Sequence, residues 1–137
     1  MRTPSANYTQ RKKLTRLHMR RPRNQGPLPE ASGRGISTNP FDHAMWIVMA
    51  IRLRRDRIVQ ARFVASPHPK LKACASLLTE LITGQDVGYA ASIHPYPFSQ
   101  MLCLRVNDLR FVFMVVRAMY EAIYDARQRS MDSRPST

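Results

Sequence analysis

Thiols are scarce in this chain: Cys74 and Cys103 are the only two among 137 residues, and they do not form a CxxC pair. A disulfide framework is therefore excluded. Cysteine usage of this kind fits a reducing compartment, so the cytoplasm is the expected location. Long apolar runs are also missing. The stretches 44–51 and 111–116 fall far short of the roughly 20 residues that a membrane-spanning helix needs. No charged segment leads into an apolar core and a cleavage site, so export is not expected. Glycine and proline number 5 and 10 against 44% hydrophobic residues, which excludes collagen-like and low-complexity classes and argues against wholesale disorder. Phosphate-cradling glycine loops, HExxH, GxSxG and close carboxylate pairs are absent as well. With no such machinery, the chain is not expected to be an enzyme.

Acidic residues are the other shortage, 9 against 22 Lys and Arg, which leaves a formal charge of +13. The excess is uneven, because residues 1–62 hold 14 basic and 3 acidic side chains while 63–137 hold 8 and 6. Such a field attracts polyanions or acidic protein surfaces through a salt-screened interaction. The basic runs Arg11-Lys12-Lys13 and Arg20-Arg21-Pro22-Arg23, with Arg52, Arg54, Arg55 and Arg57, keep nucleic acid among the candidate partners. Tyr8 and Trp46 are the few aromatics near them, and no known nucleic-acid module accompanies them.

The chain length suits one domain, read over residues 8–127 between a frayed segment at 1–7 and a polar tail at 128–137. Residues 8–21 contain neither Gly nor Pro and predict a basic helix that Pro22 ends. A Pro-, Gly- and Asn-rich segment follows, with room for an edge strand at 35–38. Apolar and alternating residues over 45–55 and 58–65 predict two strands joined at 54–57, a hairpin without an Asn-Gly turn. After Pro67-His68-Pro69 a helix is expected over 70–83, with Leu71, Cys74, Leu77, Leu78 and Leu81 on one face and Gly84 as its stop. A short helix at 86–92 and a loop through His94, Pro95 and Pro97 lead to a last helix from Asn107 or Asp108 to about 127. Strands first and helices second give an α+β fold, with a small antiparallel sheet of about three strands packed on helices.

Four segments in order carry a resemblance: Pro22-Arg23-Asn24-Gln25-Gly26, Asn39-Pro40-Phe41-Asp42-His43-Ala44, Arg57-Ile58-Val59-Gln60-Ala61-Arg62-Phe63, and residues 73–84 from Ala73-Cys74-Ala75-Ser76 to Ile82-Thr83-Gly84. Together they resemble the NifU/IscU-type iron–sulfur cluster assembly scaffolds. The resemblance implies a protein that takes sulfur from a cysteine desulfurase, builds a [2Fe–2S] cluster and passes it on. It also implies three cluster cysteines, an assisting Asp two residues after the first and a His before the third. Here the three cysteine positions fall on Asp42, His68 and Phe111, the assisting Asp on Ala44 and the His on Arg110. Cys74 lies inside the helix and does not correspond to the second ligand.

Clusters are held overwhelmingly by thiolates, so an Asp, a His and a Phe cannot hold one by the same means. Asp42, His43 and His68 do offer an oxygen and two imidazoles, a donor set suited to iron or zinc. Arg110 opposes a bound cation and suits an anion or a partner carboxylate. Blander readings stand beside these: an Asx-turn for Asp42, an exposed turn histidine for His68, core packing for Cys74 and Cys103. Phe111 sits in the apolar run 109–116, which is either ordinary core or part of a contact surface. The expectation is a scaffold-like protein with a degenerate cluster site and a retained docking role. The alternative is a basic module for nucleic acid or an acidic protein.

Overall fold

The computed structural model describes residues 4–132, so the ends of the two expected terminal segments lie outside the described residues. Helix α1 (Pro4–Arg20) leads to strands β1 (Gly33–Asn39), β2 (Asp42–Arg54) and β3 (Arg57–Ala65). Helices α2 (Pro69–Ile82), α3 (Val87–Ala91) and α4 (Pro95–Ser99) follow, and a 3₁₀ turn at Val106–Asp108 feeds the long α5 (Leu109–Asp132). The strands form one antiparallel sheet in the order β1-β2-β3. The expected α+β class with three strands is what the chain adopts.

Helix α1 starts at Pro4, inside the segment expected to be frayed, and β1 is longer than the expected 35–38. Two later boundaries moved for identifiable local reasons. His94 starts a helical turn rather than remaining in a loop, because Pro95 occupies the first helical position, where a missing N–H costs nothing. The last helix runs on to Asp132, and its late turns carry the Arg129–Asp125 ion pair at 3.1 Å.

The β2–β3 hairpin turns through Arg55 and Asp56, with Arg54 paired to Arg57. Arg55 takes a φ of 60°, a left-handed conformation usually left to Gly or Asn. Its cost is offset from outside the hairpin. Val87 N–H donates to the Asp56 carbonyl, Ile58 N–H to Gln85, Gly84 N–H to Ile58, and the Arg57 guanidinium to the Gly84 carbonyl. The α2–α3 connection therefore specifies a turn that local sequence does not.

On the inner face of the sheet, Met45, Ile47, Met49 and Ile51 of β2 and Ile58, Ala61 and Phe63 of β3 are buried against α2 and α5. The far edge of β3 is partly closed by the segment after α1, where Gly26 N–H donates to the Phe63 carbonyl and Phe63 N–H to Asn24. Helix α1 is fastened to α2 by polar contacts. His18 Nδ1 lies 2.6 Å from the Ser76 hydroxyl, which also accepts from Arg23 N–H, and Arg11 donates to the Leu102 carbonyl at 2.8 Å. Burial holds His18 below its ordinary pKa; Glu80 partly offsets this and Arg23 reinforces it.

Helix α5 lies directly on β1. Gly33 and Gly35 face it, and a Cβ on Gly35 would sit 2.5 Å from the Ala122 nitrogen and closer still to the Ala118 carbonyl oxygen. The helix answers with small residues, Ala118, Ala122 and Ala126, all buried. Backbone thus packs on backbone, and no flexible side-chain end can yield. Gly35→Ala is expected to lower stability by about 2 kcal/mol or more, as overpacking of a rigid contact does. Urea unfolding of this variant beside Gly88→Ala, which sits at an exposed position, checks it.

Candidate functional site

Three chain segments meet at one end of the sheet: the β1–β2 turn, the β3–α2 junction and the start of α5. Asp42 is in the first, His68 in the second and Phe111 in the third. The antiparallel register brings the end of β3 to the start of β2, with Ala65 opposite Ile47 and Ser66 N–H donating to the Trp46 carbonyl. Asp42 and Arg110 line one common cavity. His68 and Phe111 are not part of the lining of that cavity.

What the three residues do is mostly local. The exposed Asp42 carboxylate accepts from Ala44 N–H at 3.1 Å, and Asn39 Oδ1 accepts from Phe41 N–H at 2.8 Å, two successive Asx turns that shape the connection. His68 caps α2 from an extended conformation and places Nδ1 3.2 Å from the Ser66 hydroxyl, which is itself tied to the Trp46 backbone. His43 is exposed. Asp42, His43 and His68 do not come together as a ligand set; among the described residues no three His, Cys, Asp or Glu are disposed to hold a metal ion. The sequence offered suitable donor types, but the Asp42 carboxylate is used by its own turn and the His68 imidazole by Ser66.

Phe111 belongs to the core, with 5% of its surface exposed, while Phe113 two residues on is 57% exposed. Phe111 therefore takes the core alternative, and Phe113 is the exposed aromatic of the 109–116 run. The Arg110 guanidinium carbon lies 4.9 Å from the centroid of the Phe111 ring. A phenyl group with a cation over its face offers no donor to iron, so this position does not fit a thiolate-held cluster.

The two cysteines do not substitute for it. Cys74 is fully buried in α2, and burial, with Asp108 adding to it, pushes its thiol up to about 12. It stays protonated and behaves as a small apolar group. Cys103 is half-buried, and its backbone N–H donates to Thr15 Oγ1 at 2.8 Å.

Sequence reasoning missed several residues here. Lys70 Nζ and Asp108 Oδ2 are 2.9 Å apart, and the same oxygen accepts from Arg105 N–H at 3.0 Å, so the start of α2 is tied to the turn leading into α5. Nothing in the sequence pairs two residues so far apart. Phe41, 96% exposed, and Phe113 line the cavity with Pro40, Met114 and Arg117; its volume is about 430 Å³. One signal for part of this was available, since Arg110, Phe113 and Arg117 recur at helical spacing on one stripe of α5.

A model of the NifU-like N terminal domain matches residues 9–132. The chain belongs to the NifU-like N-terminal domain family. Among curated proteins, it is 35% identical over 74 residues to the nitrogen fixation protein NifU of Cereibacter sphaeroides. That match covers 54% of this chain and 30% of the relative, so the matched stretch is about a third of the relative's length. Among solved structures, a nitrogen-fixing NifU-like protein (N-terminal) from Brucella abortus aligns with a TM-score of 0.61 at 9% identity, covering 96% of this chain and 100% of that one. A protein from Fervidobacterium islandicum AW-1, assigned to the SUF system as an iron–sulfur cluster assembly scaffold, aligns with a TM-score of 0.55 at 11% identity, covering 88% and 96%. At such identities the two structures speak for the fold, which this chain shares. Among the described residues no helix is long and apolar enough to cross a membrane.

The Lys70–Asp108 pair makes a pH prediction. Burial alone would raise the Asp108 pKa, but the Lys70 hydrogen bond, the Arg105 N–H and the charges of Lys70 and Arg105 outweigh it and hold the carboxyl below its usual value. A depressed folded pKa means that the stabilisation is present above the unfolded value, near 4, and is lost as pH falls through the folded value. Asp108→Asn should cost about 1–2 kcal/mol at pH 7, discounted for the half-exposed lysine, and should flatten the acid limb of the stability curve below pH ~4. Urea unfolding from pH 7 to pH 2.5 on both proteins reads the difference.

Proposed function

We propose that this NifU-like domain is a non-catalytic scaffold-type protein that acts in iron–sulfur cluster assembly by docking to assembly proteins, without holding a cluster on thiolates of its own. One observation carries the reading: Phe111, onto which the resemblance lays the third family cysteine, is buried with an arginine over its ring. Asp42 and His68, onto which the resemblance lays the other two, support it because the carboxylate serves its own turn and the imidazole meets the Ser66 hydroxyl. Family membership supports the process, and the apolar, cationic cavity beside these positions supports docking. A cysteine desulfurase or another cluster-assembly protein is the partner that this reading implies.

Anaerobic incubation with iron and sulfide, then desalting, visible absorption and metal analysis, tests it. The wild-type chain should retain no stable visible-band chromophore. The triple change Asp42→Cys, His68→Cys, Phe111→Cys should gain one, since the three positions sit at one end of the sheet. A stable chromophore in wild type that Asp42→Ala with His68→Ala abolishes would overturn the proposal.

A second reading rests on α1, whose exposed residues include Lys12, Lys13, Arg16 and Arg20 and which contains no acidic residue. Those cations suit a phosphate backbone. On the docking reading, a single-stranded RNA oligonucleotide should bind only weakly at 150 mM salt, with Kd above about 1 μM, in the range of non-specific binding. Submicromolar binding with a steep log–log salt dependence, removed by Lys12→Glu with Arg16→Glu, would move the nucleic-acid reading to first place.

A further inference from the structure

The cavity between the β1–β2 turn and α5 is the least explained surface of the molecule. Phe41 and Phe113, both strongly exposed, line the same concavity. A single exposed aromatic is ordinary, but two lining one hollow of about 430 Å³, with Pro40 and Met114, mark a binding surface. Arg110 and Arg117 flank Phe113 one turn away on either side along α5 and line the same cavity. Neither arginine is in an ion pair among the described residues. Arg110 rests its guanidinium over the Phe111 ring at 4.9 Å and has no carboxylate partner among the described residues, so its N–H donors can meet a carboxylate from outside.

We propose that this groove docks an acidic segment of a partner protein, one that inserts an aromatic or branched aliphatic side chain between Phe41 and Phe113 and sets carboxylates against Arg110 and Arg117. The proposal rests on the docking role above and names the chemistry of the partner.

Three considerations select this occupant. A second copy of the chain is a poor one: its net charge is +13, and Glu80, Asp108 and Asp125, a third of its 9 acidic residues, are already engaged in ion pairs. Like charge would meet like charge across such an interface. Asp42 also lines the groove and repels any anion next to it. A nucleic acid carries a charge at every nucleotide, whereas a peptide can set a neutral residue and its N–H against Asp42 and keep its carboxylates for the two arginines. The remaining match is an apolar centre with a cationic rim, the usual anatomy of a protein interface, and it calls for an acidic partner.

The test uses the full chain and fluorescein-labelled synthetic peptides of about twelve residues in which Asp or Glu alternates with Phe or Leu, followed by fluorescence anisotropy. Control peptides carry Asn and Gln in place of the acids, or Ser in place of the apolar residues. The acidic–apolar peptide should bind, and each control should bind at least about tenfold more weakly. Arg110→Glu with Arg117→Glu, and separately Phe41→Ser, should each weaken binding by about tenfold or more. Arg54→Glu, on the β2–β3 hairpin, should leave it within about twofold. All of these positions are exposed, and circular dichroism confirms folding of each variant. Absence of binding at millimolar peptide, or binding that the groove substitutions do not change, overturns the proposal. So does displacement of the peptide by an RNA oligonucleotide of higher affinity, or a dimer that Phe41→Ser dissolves. Cluster retention reads the parent proposal independently: a chromophore in wild type with peptide binding intact would sink the former and leave the groove standing.

Discussion

The backbone-to-backbone contact between β1 and α5 is the constraint on which the rest of this structure depends. Gly33 and Gly35 present no side chain, and Ala118, Ala122 and Ala126 present only methyl groups. A 24-residue helix can therefore lie on the edge strand rather than stand off it. The helix then buries Val112, Val115, Val116, Met119 and Ile123 in the core, as its periodicity requires. It also carries its own N-terminal turns to the end of the sheet where β1 turns into β2. The site is a consequence of that placement. Arg110, Phe113 and Arg117 reach the Phe41 turn because the helix is held close further along.

Around this contact, charge and burial divide the labour. The Lys70–Asp108 pair is a partly buried tie between the starts of α2 and α5, and Asp108 adds to the burial that keeps the neighbouring Cys74 thiol protonated. The remaining arginines near the site are free to face solvent or a partner. In a cluster-holding protein the same end of the fold would carry thiolates. Here it carries a carboxylate that shapes a turn, an imidazole beside a serine and a phenyl ring in the core. On the proposed reading, apolar burial and cationic charge stand where the family's soft donors are expected, an environment suited to a protein surface.

Much of this was legible in the residues. The helix from Pro69 to Ile82, the hairpin strands and the long last helix follow from hydrophobic spacing, proline and glycine punctuation and the acidic cap region, because those signals act over a few residues. The edge strand was read too short, at 35–38 rather than Gly33–Asn39, since its glycines carry no strand propensity and are explained only by the helix that covers them. The turn at Arg55 lacked a turn signature because hydrogen bonds from residues 84–87 hold it.

By itself the sequence determined the class of fold, the scarcity of cysteine and the strong positive charge, all of which are properties of residue type and short-range order. Tertiary structure decided which side chains share a cavity. Phe111 and Phe113 are indistinguishable as residue types, yet one fills the core and the other faces the groove, because the rotation of α5 is set by its contact with β1. Lys70 and Asp108 find each other for the same reason: an ion pair depends on distance in space, which only the packing of α2 against α5 supplies.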